Sequence, residues 1–349
     1  MKRKTVAVIF GGCSPEYEVS LKSGHSIIKA IDSEKYDLIL LGITRTGLWC
    51  RFSGDVDDIP SDKWHTQEEH LKSAFISPER GRGLVEITDG RAGYVPVDVV
   101  FPVLHGRFGE DGTVQGLCEL AGIPVVGAGS ASSALCMDKD RAKKLVALAG
   151  VKTPMSVCFD RPPTDPELDS AAKALKLPIF VKPVKGGSSI GVSKVTDYSD
   201  LPEAVRSAFL MDDAVIIEQG VDGIEVGCAV VGNSDLKTGR VDEIEVLGGF
   251  FDFEEKYSLK TSKIIIPARI DEKTEHSIRE AAMTAFRALG CRGYARMDMF
   301  LSANGEVFFL EANTIPGFTP FSQFPRMMKA IGIEYPELVD MLIGLAGEL

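Results

Sequence analysis

The chain has 349 residues, 44% of them apolar and 26% charged, the composition of an ordinary globular protein rather than a disordered, collagenous or disulfide-framework one. Its 39 Lys and Arg against 50 Asp and Glu leave a net charge of -11, which excludes a sequence-independent grip on nucleic acid through clustered cations. An anionic ligand would need locally placed lysines, and at about 100–200 residues per domain the length allows a cleft between two or three domains.

The elements begin with a β-branched and apolar run over 5–10, read as a buried strand, followed by Gly11-Gly12 and a helical period over 17–31. This first run is too short for a membrane span or a signal peptide. A second buried strand over 97–104, a helix over 114–121 ended by Gly122 and a third strand over 123–126 alternate as in a parallel sheet. They predict an N-terminal parallel α/β domain, 1–137. A helix over 138–149 stops at Gly150, and Lys152-Thr153-Pro154 breaks the chain after it. With helices near 166–176 and 199–210, a Gly/Ser loop at 186–189 between strands, and a strand over 214–218, it makes a small central α+β domain, 138–220. A C-terminal α+β domain, 221–349, follows: strands over 225–231 and 241–247, a long loop at 248–263, a helix over 271–289 and a hairpin over 294–313. The seven cysteines are scattered, without a CxxC pair, and read as buried thiols in a reducing cytoplasm; the five histidines include no HExxH.

The hairpin is the most informative stretch. Asn304-Gly305 predicts a two-residue type I′ turn, which fixes the register. Asp298 then faces Glu311, Arg296 faces Asn313 and Phe300 faces Phe309, while Met297, Met299, Leu301, Phe308, Leu310 and Ala312 form the core face. Opposed carboxylates with Cβ atoms about 4.5–5.5 Å apart repel unless a cation lies between them. Asp298 and Glu311 therefore point to a metal, and their hard oxygens to Mg²⁺ bound together with substrate phosphates. A solvated face carrying scattered charges is the plain alternative.

The loop in Phe180-Val-Lys-Pro-Val-Lys-Gly-Gly-Ser-Ser-Ile-Gly-Val192 matches neither GxxxxGK[ST] nor GxGxxG, so a Rossmann cofactor is disfavoured. Its backbone N–H groups can still cover phosphates while Lys182 supplies a point charge; an ordinary hairpin turn is the alternative. Lys139 and Lys256, each taken alone, read more readily as solvated lysines. Gly11-Gly12 and the 105–112 loop lie at the carboxyl ends of strands, where open α/β sheets place ligands. A tight turn, a loop histidine and a helix-dipole role for Glu16 remain open there.

Taken in order, Gly11-Gly-Cys-Ser-Pro-Glu-Tyr-Glu-Val-Ser20, the 105–112 loop, Met137-Asp-Lys139, Lys182-Pro with Gly187-Ser-Ser-Ile-Gly191, Glu255-Lys-Tyr257, Arg296-Met-Asp298 and Glu311-Ala-Asn-Thr-Ile-Pro-Gly317 resemble the D-alanine–D-alanine ligase family of ATP-grasp enzymes. The resemblance covers essentially the whole chain. It implies an ATP-grasp fold and an ATP-dependent ligase for peptidoglycan precursors, with Mg²⁺, two ions and Mn²⁺ able to substitute. Lys139 and Lys182 would contact ATP phosphates; Glu218, Gln219 and Val221 would hold the adenine end and Glu225 the ribose, with Phe250, Phe300 and Leu310 also at the nucleotide. Asp298, Glu311 and Asn313 would be the magnesium ligands. Glu16, aided by His105, would take the first D-alanine, with Ser188 and Tyr257 completing a hydrogen-bonded triad. Lys256 would approach the transferred phosphoryl group, Arg296 and the Gly317 N–H would hold an oxyanion, and Ser322 the second carboxylate.

Val241-Asp-Glu-Ile-Glu-Val246, Gly249-Phe-Phe-Asp-Phe-Glu-Glu-Lys-Tyr257 and Ala134-Leu-Cys-Met-Asp-Lys-Asp-Arg141 resemble the vancomycin-resistance D-alanine–D-serine ligases. Phe251 and Asp242 suit that group, whereas Gln323 replaces the expected Arg. The Glu-Lys-Tyr pattern argues against D-lactate. D-alanine and D-serine both stay open as second substrate. So do three rival readings: another ATP-grasp carboxylate–amine ligase, a non-catalytic nucleotide-binding regulator and an oxidoreductase on the N-terminal domain. The expected partners are small molecules and a second copy of the chain, with neither nucleic acid nor membrane.

Overall fold

The computed structural model describes residues 3–246 and 262–348. The first of its three sheets contains β1 (Lys4–Gly11), β2 (Tyr36–Ile43), β3 (Trp49–Phe52), β4 (Leu71–Ile76), β5 (Leu84–Thr88), β6 (Arg91–Val95) and β7 (Val99–Pro102), in the order β6-β5-β4-β3-β2-β1-β7. β1 is parallel to β2 and β7, and β2 to β6 form an antiparallel meander. The expected parallel sheet is thus a mixed one. The meander strands are short and half exposed, so they lack the continuous apolar run that marks β1. Residues 123–126, read as a strand, make only an isolated bridge from Val125 to Val100.

Helix α1 (Tyr17–Ala30) buries Tyr17, Leu21, Gly24, Ile27 and Ile28 along one face, spaced for a single helical stripe. Gly24 allows the close approach, because a Cβ there would lie 2.8 Å from Phe10 Cβ. Helices α2 (Thr113–Ala121) and α3 (Ser130–Met137) lead to α4 (Lys139–Leu148), whose N-cap Asp138 accepts from Arg141 N at 2.9 Å. That cap starts the helix at Lys139.

The second sheet, in the order β10-β9-β11-β8, is antiparallel and consists of β8 (Ser156–Phe159), β9 (Ile179–Pro183), β10 (Ser193–Val195) and β11 (Val215–Gln219). Helices α5 (Asp165–Ala174) and α6 (Leu201–Phe209) cover it through Ala171, Val205 and Ala208. The third sheet runs β15-β14-β12-β16-β17, from β12 (Gly223–Gly232), β14 (Asp242–Val246), β15 (Ser262–Ile265), β16 (Gly293–Ser302) and β17 (Val307–Asn313), with β13 (Lys237–Thr238) beside β12. Helix α7 (Glu272–Ala288) and α4 pack on it, Val146, Ile278 and Phe286 meeting Met297, Met299 and Phe309.

After β17 the chain returns to the first sheet through α8 (Gln323–Lys329) and α9 (Tyr335–Ala346). Phe318, Phe324, Leu338 and Leu342 share one core with Val6, Phe10 and Phe101. The Phe318 ring stands 6.4 Å from Phe101 and 5.5 Å from Tyr294, centroid to centroid. This seam holds the 314–322 loop against the strand ends of the first sheet. All seven cysteines are free. No described helix is long and apolar enough to cross a membrane.

Candidate active site

The β16–β17 hairpin pairs Asp298 with Glu311 and Arg296 with Asn313, as its chemistry predicts, but the turn is different. Ser302 N donates to Glu306 O and Gly305 N to Ser302 O, both at 2.9 Å, with Gly305 at φ +78. This is a three-residue loop closed by a left-handed glycine, not a two-residue type I′ turn. Below it Leu301 faces Val307, Phe300 faces Phe308 and Met299 faces Phe309, one position off the expected pairing. A bulge between Asp298 and Met299 takes up Leu310 and restores the register at the carboxylates. Two one-residue offsets cancel. Hence Phe309, not Phe308, is the core residue, and Leu310 turns from the expected core face to line a cleft with Phe300 and Glu311.

Cations already flank the two acids. Arg296 donates to Asp298 through Nε at 2.6 Å and Nη2 at 2.7 Å, and Asn313 Nδ2 reaches Asp298 Oδ2 at 2.7 Å. The bidentate pair leaves Nη1 of the guanidinium for another acceptor. Glu311 Oε2 lies 3.6 Å from Lys139 Nζ, which also donates to the Gly186 carbonyl. Among the described residues no group of three or more His, Cys, Asp or Glu is placed to hold a metal. Two carboxylates and an amide remain, the sparse oxygen donor set that Mg²⁺ accepts when substrate phosphates complete its shell.

Between the second and third sheets lies a cleft of about 840 Å³, in the range of a small-ligand site. Lys139 and Lys182 stand at one side, with Glu218, Gln219, Val221 and Glu225 along the wall and Phe180, Phe300 and Leu310 supplying apolar surface. Lys182 Nζ donates to Glu218 Oε2 at 2.6 Å. Lys143, one turn beyond Lys139 on α4, is buried and ion-paired with Glu218 Oε1; the sequence reading missed it. Its signal was the four-residue spacing from Lys139, which puts both lysines on one helix face. Glu243 and Arg269, salt-bridged at 2.5 Å, also line the cleft and were not anticipated.

The Gly/Ser loop runs from β9 to β10 with no helix after it, and Ser188 and Ser189 adopt φ +50 and +57. Such left-handed backbone at non-glycine residues is held by its surroundings. Ser188 Oγ donates to Glu16 Oε1, joining this loop to the N-cap of α1. Glu16 is packed so closely against Gly106 that a Cβ there would lie 2.6 Å from Glu16 Oε2. Gly11 at φ +91 makes the preceding turn, where a Cβ would lie 2.1 Å from Ile43 O.

His105 is 5% exposed; Nδ1 contacts Ile315 O at 2.8 Å and Nε2 contacts Ser23 Oγ at 3.4 Å. Burial holds its imidazole below the usual range, so the neutral ring donates to the Ile315 carbonyl. Both nitrogens serve protein partners. Glu110, absent from the expected set, receives Gly106 N–H at 2.8 Å and Ile315 N–H at 3.0 Å. Burial and, secondly, the charge of Glu16 push its carboxyl up to about 8. Ile315 is thereby clamped at both its N–H and its C=O, which sets the approach to Gly317. A Cβ at Gly317 would lie 3.4 Å from Ser322 Oγ, and that hydroxyl accepts from Thr319 N at 3.0 Å.

Asp242, fully buried on β14, accepts from Gly227 N at 2.7 Å. Burial lifts its carboxyl to about 7, opposed by Arg296 and aided by Asp298. The Gln323 side chain lies beside it and draws its carboxyl down, against the effect of burial. Phe250, Phe251, Lys256 and Tyr257, and with them most of the 248–263 loop, lie outside the described residues.

Family models for the "D-ala D-ala ligase N-terminus" and "D-ala D-ala ligase C-terminus" match residues 5–128 and 149–344. The chain belongs to the D-alanine–D-alanine ligase family. A D-alanine–D-alanine ligase of Caldicellulosiruptor bescii is 42% identical over all of this chain and 96% of its own length. The vancomycin C-type resistance protein VanC1 of Enterococcus gallinarum is 41% identical over 99% of both. Among solved structures, the VanG D-Ala:D-Ser ligase of Enterococcus faecalis superposes with a TM-score of 0.93 at 50% identity, covering 99% of this chain and 100% of that one. The ligase from Coxiella burnetii gives 0.87 at 29% identity, covering 100% and 95%. The three sheets are therefore those of an ATP-grasp ligase, and the regulator and oxidoreductase readings fall away.

Proposed function

We propose that this D-alanine–D-alanine ligase family member uses ATP to convert the carboxylate of D-alanine to an acyl phosphate, and joins it to the amine of a second D-amino acid. One observation carries the reading: Asp298 and Glu311 oppose each other on one face, between Arg296 and Lys139, at the edge of a nucleotide-sized cleft. A carboxylate resists nucleophiles because its charge repels them and its oxygen leaves badly, so it must first be phosphorylated.

Lys139 and Lys182 hold the nucleotide phosphates, Glu218, Gln219 and Val221 the base, and Glu225 the ribose, against Phe300 and Leu310. Asp298, Glu311 and Asn313 would hold Mg²⁺, which when bound neutralises phosphate charge. Glu16 takes the D-alanine ammonium, with Ser188 closing the Gly/Ser loop onto it. His105 and Glu110 brace Ile315 so that the Gly317 N–H, with Arg296 Nη1, faces the tetrahedral oxyanion formed when the amine attacks. Tyr257 and Lys256 complete the loop side of the site on the strength of the family resemblance, as Phe250 and Phe251 do, and Ser322 receives the second carboxylate.

D-serine is the second substrate we favour. A hydroxyl can accept from the Gln323 amide and donate to the buried Asp242 carboxyl beside it. The reaction needs ATP and free D-amino acids, which places the enzyme in the cytoplasm, making peptidoglycan precursors; a homodimer is the expected assembly, testable by sedimentation. Phosphate release from Mg-ATP is the assay. D-alanine with D-serine is expected to release phosphate faster than D-alanine alone, and L-amino acids to release none. Release with L-amino acids only would refute the reading.

A further inference from the structure

Glu218 is 2% exposed and carries two ammonium partners, Lys143 on Oε1 and Lys182 on Oε2. A lone buried carboxylate is costly, because its charge is neither hydrated nor paired. Lys182 therefore could not leave Glu218 for a nucleotide phosphate without stranding that charge, unless a second cation stayed behind. We propose that Lys143 is that cation: a positioning residue that keeps Glu218 neutralised while Lys182 transfers its ammonium to the phosphates. The inference rests on the nucleotide reading of this cleft.

The geometry separates the two lysines by role. Lys182 projects from β9 into the cleft and lines it, whereas Lys143 is 3% exposed on the inner face of α4, among Ala142 and Val146, and is absent from the cleft lining. Lys143 reaches Glu218 from α4, outside the described residues that line the cleft. Burial first, then the neighbouring Lys182 and Lys139, push the Lys143 ammonium well below the usual lysine range, while Glu311 and Asp140 oppose the shift. That shift favours the neutral amine, so in the proposed exchange the proton is held on Lys143 by its contact with the Glu218 carboxylate. When Lys182 turns to phosphate, the nearest opposing charge moves off and the Lys143–Glu218 pair strengthens. That gain offsets part of the Lys182–Glu218 attraction given up.

Calorimetric titration of the full chain with Mg-ATP and, separately, with adenosine tests this. Adenosine has no phosphate and does not require Lys182 to move. In Lys143→Met, ATP binding is expected to weaken at least about tenfold and adenosine binding less than about threefold, because Glu218 then keeps Lys182. Lys143→Arg, which retains a cation, is expected to keep the ATP-to-adenosine affinity ratio within about threefold of the parent. In Lys143→Met/Glu218→Gln the ratio should return to that of Glu218→Gln alone. Equal weakening of both ligands, the mark of a merely structural lysine, would overturn the proposal, as would a double variant that keeps the deficit. Should Lys143→Met not fold, Glu218→Gln decides, since releasing Lys182 should raise the ratio and an unchanged or lower one refutes the exchange. A parent protein that binds no Mg-ATP would instead remove the nucleotide reading itself.

Discussion

At the scale of single residues, the site is built from charges that already have partners. Arg296 lies bidentate on Asp298, so its truncation removes the donor proposed for the oxyanion and takes from Asp298 its paired cation, leaving Lys139 beside Glu311. Arg296→Ala is expected to lower kcat by about 10²–10³ in a phosphate-release assay, and near-normal turnover would exclude the assigned role. Glu110 gives a pH signature. Its folded carboxyl lies at about 8 against an ordinary 4.5, so between these values the folded chain binds more protons than the unfolded one. This contribution to stability is full below about 4.5 and is lost as pH rises towards about 8. Glu110→Gln cannot ionise, so urea denaturation across that window should show a smaller decline with pH than in the parent. An equal decline would mean that another group carries the proton.

At the scale of elements, the hairpin shows what local chemistry can and cannot reveal. The opposition of Asp298 to Glu311 was readable from Asn304-Gly305 and the period-two pattern, but through two errors that cancelled: the turn holds three residues and Leu310 is bulged out. A bulge leaves no mark in an apolar run such as Val307-Phe-Phe-Leu310, since every candidate for the core face there is equally apolar. The β3–β6 meander was illegible for the opposite reason, its strands being short and half exposed. Helices α8 and α9 also went unread, although Phe318 and Phe324 anchor them to the first sheet. Phe318 contacts Phe101, Tyr294, Phe324 and Tyr335 as ring pairs and is fully buried. Phe318→Ala should therefore cost about 3–5 kcal/mol in denaturant unfolding. A loss below about 1 kcal/mol would show that the seam is not a cooperative part of the fold.

At the scale of the molecule, Glu16 at the start of α1, Lys182 on β9, Ser188 in the loop after it, and Asp298 and Glu311 on β16 and β17 make up the proposed site. Their motifs were legible because few residue types fulfil the chemistry at those spacings. Lys143, Glu110 and the Asp242–Gln323 pair were not, because their significance depends on burial and on partners distant in sequence. The proposed chemistry makes a carboxylate electrophilic by phosphorylating it. The most direct test is to supply D-alanine labelled with oxygen-18 in its carboxylate, together with D-serine and Mg-ATP, and to weigh the phosphate released. An acyl phosphate intermediate transfers one labelled oxygen to each phosphate; unlabelled phosphate accompanying dipeptide formation would contradict the account.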